Sequence, residues 1–369
     1  MLTDWSRLSD DLGPEKITLL KNPDIGLEAI VVVDNTAAGP AVGGIRMATD
    51  ITVEEIFRLA RAMTFKNTAA GLPHGGGKAG IIANPAMPDH EKERLIRAFA
   101  NAIRDMTDYI PGPDMGTTEA SMAQIHDEIG RAIGLPAVLG GIPLDTLGAT
   151  AFGVVVAAQV AEDFGIVRVD GARVVIEGFG AVGTHTARLF SERGAKVITV
   201  SDSRGAVTNP DGLDVEKLIV FKHEGSPVHL FPGGMEIPAS ELVTTDCDIW
   251  VPAARPDTFT KDNAPGVRAR LIVQGANIPA TPEAETIFHE RGIVVVPDFI
   301  ANAGGVICGA VEYGGGTQRQ AFDMIETKIR DNTREVLELS ATKGLEPRLV
   351  AMEMTERRLR EEMGYRRSF

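Results

Sequence analysis

The stretch RVVIEGFGAVG, residues 173–183, decides the fold class of this chain. A β-branched apolar run leads into three glycines with the spacing GxGxxG, and a helical pattern that ends at Gly194 follows them. The next apolar run, KVITVS at residues 196–201, reads as a second strand. A strand, a glycine turn, a helix and another strand in this order predict a βαβ unit with parallel strands.

The glycines of this turn are typical of a dinucleotide site. Gly178 permits the tight turn, Gly180 lets backbone approach a pyrophosphate, and Gly183 lets the helix pack on the strand. The helix N-terminus attracts phosphate charge. Asp202, after the second strand, is placed to accept hydrogen bonds from ribose hydroxyls. The pattern predicts a dinucleotide site, and a tight turn without a ligand is the alternative.

The choice between NAD and NADP depends on the residues at the end of the second strand. Asp202 favours NAD because a carboxylate repels a 2′-phosphate. Ser203 and Arg204 follow at once, and a hydroxyl and a guanidinium could bind that phosphate. NAD is therefore the predicted cofactor, with NADP use open.

The alternation of elements extends over the second half of the chain. The helical pattern of residues 150–164 precedes the fingerprint, and further strands are predicted at 247–251, 270–274 and 292–296. These segments predict a doubly wound parallel sheet. The first 140 residues read as α plus β, with a strand at 28–34, helices at 52–70 and 88–108, and glycine- and proline-rich loops at 71–80 and 110–117. Residues 319–360 are charged and helical.

Length and charge limit the classes of function. A chain of 369 residues suggests two domains, with a boundary near residue 145. The net charge of −14 argues against a nucleic-acid partner and against docking on an anionic membrane. The longest apolar stretch, residues 147–161, is shorter than a transmembrane helix, and the N-terminal MLTDWSRLSDDLG lacks the pattern of a signal peptide.

The metal-binding residue types show no ligand spacing. Cys247 and Cys308 stand outside any CxxC motif, and the seven histidines are scattered. We therefore expect no metal site and a reducing, cytoplasmic location.

A lysine lies among glycines in GLPHGGGKAG, residues 71–80. Leu72 and Ala79 stand where a phosphate-binding loop requires Gly and Ser or Thr, so that class is rejected. Burial among backbone and apolar groups would lower the pKa of Lys78 and let it act as a base or polarise a carbonyl. A glycine-rich turn with a solvated lysine is the alternative.

Two more charged residues are candidates for the same site. Lys66, near the end of its helix, suits a substrate carboxylate, although a lysine there is often simply solvated. Asp114, in a loop stiffened by two prolines, could point into a cleft or cap the helix that starts near Thr117.

Eight blocks, in order along the chain, resemble the Glu/Leu/Phe/Val amino-acid dehydrogenases. They are AVGGIRM (41–47), MTFKN (63–67), LPHGGGKAG (72–80), PDMGTT (113–118), GFGAVG (178–183), VSDSRG (200–205), QGANIPATPEAE (274–285) and PDFIANAGGV (297–306). The resemblance implies reversible oxidative deamination of an L-amino acid with NAD(P), in a homo-oligomer. It also implies an α/β substrate domain (1–145), with helices 325–369 packing back on it, a Rossmann domain (146–324), and an active-site cleft between them.

The resemblance also implies roles for individual residues. Lys78 would activate water and polarise the oxo group, Asp114 would relay protons of the amine, and Lys66 would bind the α-carboxylate. Further substrate contacts are expected from Val42, Gly43, Met63, Asn302, Val306 and Gly309. Cofactor contacts are expected from Gly178, Phe179, Gly180, Ala181, Val182, Gly183, Asp202, Ser203, Thr150 and Asn277.

Departures from the family pattern bear on the substrate. Glutamate enzymes of the family carry lysine where this chain has Val42 and serine where it has Gly309. We therefore expect an apolar substrate side chain. A glutamate dehydrogenase whose γ-carboxylate is bound elsewhere, for example by Arg46, is the second hypothesis. The third is a regulatory protein that binds the cofactor without catalysis, against which the intact Lys66, Lys78 and Asp114 argue.

Overall fold

The structure is a computed structural model that describes residues 8–366, apart from the side chain of Ala239. Residues 1–7, which carry part of the signal-peptide prediction, lie outside the described residues. Contacts between residues divide the chain into two units. Met1–Pro143, Val306–Ala321 and Thr355–Phe369 form the first, and Leu144–Gly305 and Phe322–Met354 form the second.

A five-stranded sheet organises the first unit. Its strands, in the order β1-β2-β4-β3-β5, are β1 (Lys16–Asn22), β2 (Leu27–Asn35), β3 (Ala41–Ala48), β4 (Gly75–Ile82) and β5 (Tyr109–Pro113). Strand β3 runs parallel to β4 and β5, whereas β1 and β2, and β2 and β4, pair antiparallel. The helices of this part of the chain are α1 (Val53–Ala69), α2 (Asp89–Ala102) and α3 (Glu119–Ile129), followed by a 3₁₀ turn at Ala137–Leu139.

The predicted loops at 71–80 and 110–117 are wrong in part, because residues 75–80 belong to β4 and residues 110–113 belong to β5. The glycines there allow close packing of extended strands. A Cβ on Gly76 would lie 2.0 Å from the backbone nitrogen of Thr64 in α1, and a Cβ on Gly43 would lie 1.6 Å from the carbonyl oxygen of Gly77. Only glycine at these two positions lets the neighbouring backbone come so close.

Helix α1 begins where the sequence predicts. The Thr52 hydroxyl accepts a hydrogen bond from the Glu55 amide at 3.1 Å and caps the helix. Ile56 and Ala60 are fully buried on the face that packs toward the sheet. Helix α2 ends at Ala102, earlier than the predicted residue 108.

Successive side chains of β3 and β4 point to opposite faces of the sheet, so the candidate site residues of these strands share one face. Ile45 and Met47 point into the larger core of the unit. Val42 and Arg46 therefore lie on the opposite face, and the pairing of Arg46 with Gly80 places Lys78 on that face as well.

A seven-stranded sheet organises the second unit in the order β12-β11-β10-β6-β7-β8-β9. Strands β12, β11, β10, β6 and β7 are parallel, and β8 and β9 extend the sheet antiparallel. The strands are β6 (Arg173–Glu177), β7 (Lys196–Asp202), β8 (Gly205–Thr208), β9 (Met235–Ile237), β10 (Ile249–Pro252), β11 (Leu271–Val273) and β12 (Val294–Val296). The predicted doubly wound sheet is confirmed, with an added hairpin edge.

The remaining helices follow in chain order. They are α4 (Leu144–Leu147), α5 (Ala149–Asp163), α6 (Ala181–Glu192), α7 (Val215–His223), α8 (Ala239–Leu242), α9 (Pro282–Glu290), α10 (Asp298–Ala301), α11 (Gly304–Tyr313), α12 (Gln318–Lys343) and α13 (Pro347–Gly364), with 3₁₀ turns at Val228–Leu230 and Ala264–Gly266.

One helical stretch of the described residues, Leu144–Asp163, is long and apolar enough to cross a membrane by length and composition alone. Its most apolar window is 61% buried inside the protein. Val154, Val155 and Val160 of α5 have no exposed surface, so the apolar residues of this stretch form core.

The C-terminal helices divide differently from the expectation that 325–369 pack on the first domain. Only Thr355–Phe369 groups with the first unit, and Phe322–Met354 groups with the second. The rings of Phe152 and Phe322 pack with centroids 5.1 Å apart. This ring packing holds α12 in the second unit, and the ion pairs of Arg348 with Glu285 and Asp298 hold the start of α13 there.

Candidate functional site

A lysine–carboxylate pair is the centre of the candidate site in the first unit. Lys78 on β4 is 7% exposed, and its Nζ lies 2.7 Å from Oδ2 of Asp114. Arg46 on β3 donates from Nε to the same oxygen at 3.2 Å and from Nη1 to Oε1 of Glu55 at 2.7 Å. The structure thus brings two predicted catalytic residues together, and the solvated-lysine alternative is excluded by burial.

The turn after β5 aims Asp114 at the lysine. The Asp114 amide donates to the Thr117 hydroxyl at 3.0 Å, and that hydroxyl also lies 2.8 Å from the carbonyl oxygen of Ile45. A Cβ on Gly44 would approach the Asp114 Cβ to 2.8 Å, so glycine leaves room for the carboxylate. Thr118 caps α3, which rules out the alternative that Asp114 is its cap.

Lys78 and Asp114 each change the pKa of the other. Burial lowers the pKa of Lys78, although Asp114 opposes that change. Burial by itself raises the pKa of Asp114, but the attraction of Lys78 and Arg46 is stronger and leaves that pKa below its usual value. An ionised carboxylate therefore faces a lysine that releases its proton more readily than a solvated one, which suits proton transfer.

Apolar side chains lie on the same face of the sheet. Val42 is 4% exposed and packs with Ile110 and Ile133. Gly309 belongs to the same unit, and a Cβ there would lie 2.8 Å from Cδ1 of Ile133. Two of the predicted substrate residues thus meet through Ile133, which the sequence did not single out.

The other predicted substrate residues of this unit have varied surroundings. The carbonyl oxygen of Gly43 accepts a hydrogen bond from the Tyr109 hydroxyl at 2.8 Å. Met63 and Lys66 are half-buried in the C-terminal half of α1, three residues apart and so on one side of the helix. Val306 is half-buried near the start of α11.

The glycine fingerprint in the second unit has the geometry of a dinucleotide turn. Gly178 has φ +89°, which favours glycine, and a Cβ on Gly183 would lie 1.8 Å from the Gly178 carbonyl oxygen. A Cβ on Gly180 would meet nothing within 4 Å, and this residue starts α6 with no side-chain cap. The amides of Ala181 and Val182 in the first turn lack partners within the helix, as at every helix N-terminus. Phe179 is buried beneath the turn.

A cavity of about 1260 Å³ adjoins this fingerprint and extends past the end of β7. Gly178, Gly180, Asp202, Ser203 and Arg204 are among its lining residues. The open backbone at Gly180, the helix N-terminus and the cavity fit a dinucleotide.

The carboxylate of Asp202 accepts hydrogen bonds within the protein that the sequence does not predict. Its Oδ1 accepts from the Arg204 amide at 2.8 Å. Its Oδ2 accepts from the Val228 amide at 3.1 Å and from the Lys222 ammonium. These bonds outweigh the effect of burial and lower the pKa of Asp202. No pattern in the sequence links Lys222 to Asp202, because the pair forms only when the fold brings the end of α7 to the end of β7.

Asn277, expected near the nicotinamide, is hydrogen-bonded to Asn302, which is expected to contact the substrate. Nδ2 of Asn302 donates to Oδ1 of Asn277 at 3.0 Å and contacts the carbonyl oxygens of Gly275 and Ala276 at 3.3 Å. Asn302 Oδ1 is buried and has no hydrogen-bond partner among the described residues, which leaves an acceptor for a ligand. Thr150 lies beside the residues that follow Asn302: a Cβ on Gly304 would lie 3.2 Å from its Cα, and a Cβ on Gly305 would lie 3.2 Å from its hydroxyl oxygen.

Over residues 8–366, no three or more His, Cys, Asp or Glu side chains are grouped so that they could hold a metal ion.

Two family models match the chain. Residues 140–367 match the model described as Glutamate/Leucine/Phenylalanine/Valine dehydrogenase. Residues 14–131 match the model of the Glu/Leu/Phe/Val dehydrogenase dimerisation domain.

Curated relatives cover most of the chain. The NADP-specific glutamate dehydrogenase of Saccharolobus shibatae is 42% identical over 76% of this chain and 69% of its own length. The NAD-specific glutamate dehydrogenase of Staphylococcus aureus is 38% identical over 90% of this chain and 84% of its own.

Solved structures share the fold. A hetero-hexameric glutamate dehydrogenase from Thermus thermophilus, in a leucine-bound form, matches with TM-score 0.86 and 28% identity over 96% of this chain and 91% of its own. L-tryptophan dehydrogenase from Nostoc punctiforme matches with TM-score 0.76 and 25% identity over 98% of this chain and 100% of its own.

Proposed function

The chain belongs to the Glu/Leu/Phe/Val dehydrogenase family and is an NAD(P)-dependent amino-acid dehydrogenase, and we propose that its substrate carries an apolar side chain. In the proposed reaction, an L-amino acid, NAD(P)⁺ and water give a 2-oxo acid, ammonium, NAD(P)H and a proton. The bound cofactor supplies the hydride acceptor. The other steps are proton transfers and the addition of water, which the side chains of the protein must carry out.

We propose Lys78 and Asp114 as the proton-transfer pair. The contact of 2.7 Å between the Lys78 Nζ and the Asp114 Oδ2 is the observation that carries this assignment. In this scheme, Asp114 takes a proton from the substrate amine. Neutral Lys78 then activates the water that attacks the imino carbon. Lys66 is proposed to bind the α-carboxylate.

The surroundings of Val42 support an apolar substrate side chain. Val42 packs with Ile110 and Ile133, and Gly309 faces Ile133 without a polar group of its own. A γ-carboxylate buried there without a cation would cost several kcal/mol. An apolar side chain would instead gain about 25 cal/mol per Å² that it buries.

Arg46 was the alternative partner for a γ-carboxylate. Its guanidinium already pairs with Glu55 at 2.7 Å and with Asp114 at 3.2 Å. Binding a third carboxylate would require one of these pairs to break. This engagement supports the apolar assignment over a glutamate site built on Arg46.

Glutamate is the second candidate substrate, and the comparisons favour it. The relatives that are 42% and 38% identical are both named glutamate dehydrogenases. The L-tryptophan dehydrogenase with the same fold is a neighbour that acts on a different amino acid, by its name. The names and the residues at 42 and 309 therefore point to different substrates, and a direct assay decides between them.

The test is kcat/KM over a full panel of L-amino acids, each with NAD and with NADP. We expect leucine, valine, isoleucine, methionine or phenylalanine to be the best substrate. Neighbouring apolar substrates should differ only about 10- to 200-fold per methylene, since apolar pockets discriminate weakly. Glutamate as the best substrate would overturn the apolar assignment. No turnover with any amino acid would favour a regulator that binds the cofactor without catalysis.

Either NAD or NADP suits the cofactor site, and a preference for NAD stays a prediction. The Asp202 carboxylate should repel a 2′-phosphate, but Lys222 pairs with it and offsets its charge. Arg204 adds a cation at the edge of the same cavity. We propose that NAD is preferred by a modest margin, and the panel above measures it.

We also propose a homo-oligomer in the cytoplasm. The match of residues 14–131 to a dimerisation domain supports self-association. Cys247 and Cys308 are both buried thiols outside any disulfide, as is usual in a reducing compartment. Light scattering on the purified protein tests the first part, and a monomer at assay concentration would contradict it.

A further inference from the structure

Ile278 has an unusual backbone conformation beside a proposed cofactor residue. Its φ is +49°, in the left-handed region that β-branched side chains rarely adopt. It follows Asn277 directly in the turn between β11 and α9, and its side chain is 46% exposed. Burial of the side chain therefore does not hold this conformation, and something else must.

A buried carboxylate holds the turn from one side. The Ile278 amide donates to Oδ2 of Asp298 at 2.8 Å. The Ile278 carbonyl oxygen accepts from the Asp257 amide at 3.0 Å, and Asp257 also has a positive φ, +54°. Aspartate tolerates that region better than isoleucine does, so the strain is concentrated at Ile278.

Arg348 fixes the position of that carboxylate. Its Nη2 donates to Oδ1 of Asp298 at 2.8 Å and to Oε1 of Gln274 at 2.6 Å, and its Nε donates to Oε1 of Glu285 at 2.9 Å. The Asp298 amide in turn donates to Gln274 Oε1 at 3.0 Å. Both oxygens of Asp298 are thus bonded, one to the cation and one to the strained turn.

The same residue connects the two asparagines. Asp298 begins α10, and its carbonyl oxygen accepts from the Asn302 amide at 2.7 Å. The Asn302 side chain then donates to Asn277 at 3.0 Å. A shift of the carboxylate would therefore move Ile278 and, with it, the partner of Asn302.

We propose that Asp298, oriented by Arg348, is a positioning residue that holds the strained Asn277–Ile278 turn and so places Asn277 and Asn302 for the nicotinamide end of the cofactor. This inference rests on the cofactor role that the family resemblance implies for Asn277 and on the hydrogen bond that joins Asn302 to it. Asp298 acts through them and makes no contact with the cofactor itself in this scheme.

The test is a mutant cycle measured by NADH binding and by hydrogen exchange of the peptide that contains residues 275–279. Without the carboxylate, the turn should relax and the binding-competent fraction should fall. Asp298→Ala should therefore weaken NADH binding by about 5- to 30-fold, the factor that corresponds to the cost of the left-handed conformation. Exchange in this peptide should become faster.

Glycine at residue 278 adopts the same φ without strain, so the turn should no longer need its hydrogen bond to Asp298. We expect Asp298→Ala with Ile278→Gly to bind NADH to within about twofold of Ile278→Gly alone. The matched control is Asp298→Ala with Asp257→Gly, which relaxes the neighbouring positive-φ residue and should not restore binding. Unchanged binding in Asp298→Ala, rescue by neither glycine, or equal rescue by both would overturn the proposal.

Asp298→Asn covers the case in which Asp298→Ala does not fold. Its one oxygen can take the position of Oδ1, which faces Arg348, or of Oδ2, which faces Ile278, and its NH2 group then faces the other donor. This variant should therefore show a smaller loss that Ile278→Gly also restores. Absence of rescue in this background would be equally decisive against the proposal. The binding and exchange readouts do not depend on turnover, so failure of the proposed function in the amino-acid panel is distinguishable from failure of this inference.

Discussion

Replacing Val42 by lysine tests the proposed substrate side chain most directly. An ammonium group at this site would be surrounded by Ile110 and Ile133 and would lose most of its hydration. Such a charge is costly unless a carboxylate pairs with it. Bound glutamate supplies that partner through its γ-carboxylate, whereas bound leucine does not.

The expected size of the effect follows from the energy of a charged hydrogen bond. A contribution of about 1.5–3 kcal/mol corresponds to a rise of about 10- to 150-fold in the ratio of kcat/KM for glutamate to that for leucine. The assay follows formation of the reduced cofactor with each substrate. Leucine turnover should fall, because the pocket loses apolar surface.

A serine at residue 309 should add a hydrogen-bond donor, but Ile133 limits the space. The new Cβ would lie 2.8 Å from Cδ1 of Ile133 and 3.8 Å from its Cβ and Cγ1, so only the terminal methyl obstructs it. Ile133→Val removes that methyl at a cost of about 0.5–1.5 kcal/mol. The triple variant Val42→Lys, Ile133→Val, Gly309→Ser should therefore favour glutamate more than Val42→Lys alone.

Val42→Met is the matched control, since it adds length without charge. It should change leucine turnover but leave the glutamate ratio low. The reasoning is refuted if folded Val42→Lys and the triple variant both leave the ratio at the wild-type value. It is also refuted if Val42→Met raises the ratio as much as lysine does.

Three further outcomes are expected. Lys78→Ala should lower kcat by about 100- to 10,000-fold while NADH binding and the melting temperature stay near wild type, because the general base is lost and Asp114 keeps Arg46 as a partner. Asp114→Asn should lower the rate by a similar factor, and it should move the limb of the pH profile that reports Lys78 to lower pH. Asp114 is what holds up a Lys78 pKa that burial already lowers, so an unshifted limb would contradict the assignment. Lys222→Gln should increase the ratio of kcat/KM for NAD to that for NADP, because Asp202 would lose its neutralising partner; a decrease would show that Lys222 acts mainly against NADP.

The fold of the second unit was predicted from the sequence better than that of the first. The reason is that glycine serves two different purposes: a positive φ in a turn, and close backbone packing in a strand. At Gly178 the residue is needed for its positive φ, and the surrounding pattern of strand and helix identified the turn correctly. At Gly76 the residue is needed because the backbone of Thr64 comes within 2.0 Å of its missing Cβ, and the segment is a strand. Composition does not distinguish these causes, so a glycine-rich strand was predicted as a loop.

The candidate site was predicted in part for a related reason. Lys78 and Asp114 stand in recognisable local motifs, and the structure places their charged atoms 2.7 Å apart. The ion pairs of Arg46 with Asp114 and of Arg348 with Asp298 join residues 68 and 50 positions apart. Only the packing of strands and helices brings such partners together, so no local pattern predicted them.

Arg46 gives the proposed proton-transfer pair, Lys78 and Asp114, a property that two residues alone would lack. If Asp114 paired with Lys78 only, loss of the lysine proton would leave a half-buried carboxylate without a cation and would oppose that loss. The Arg46 guanidinium remains bonded to the same carboxylate oxygen, and Asp114 and Glu55 hold the pKa of Arg46 above its usual value although burial alone would lower it. Asp114 therefore stays ionised and paired while Lys78 changes charge. Lys78 can then lose its proton without leaving the Asp114 carboxylate unpaired. A residue that alternates between acid and base requires this.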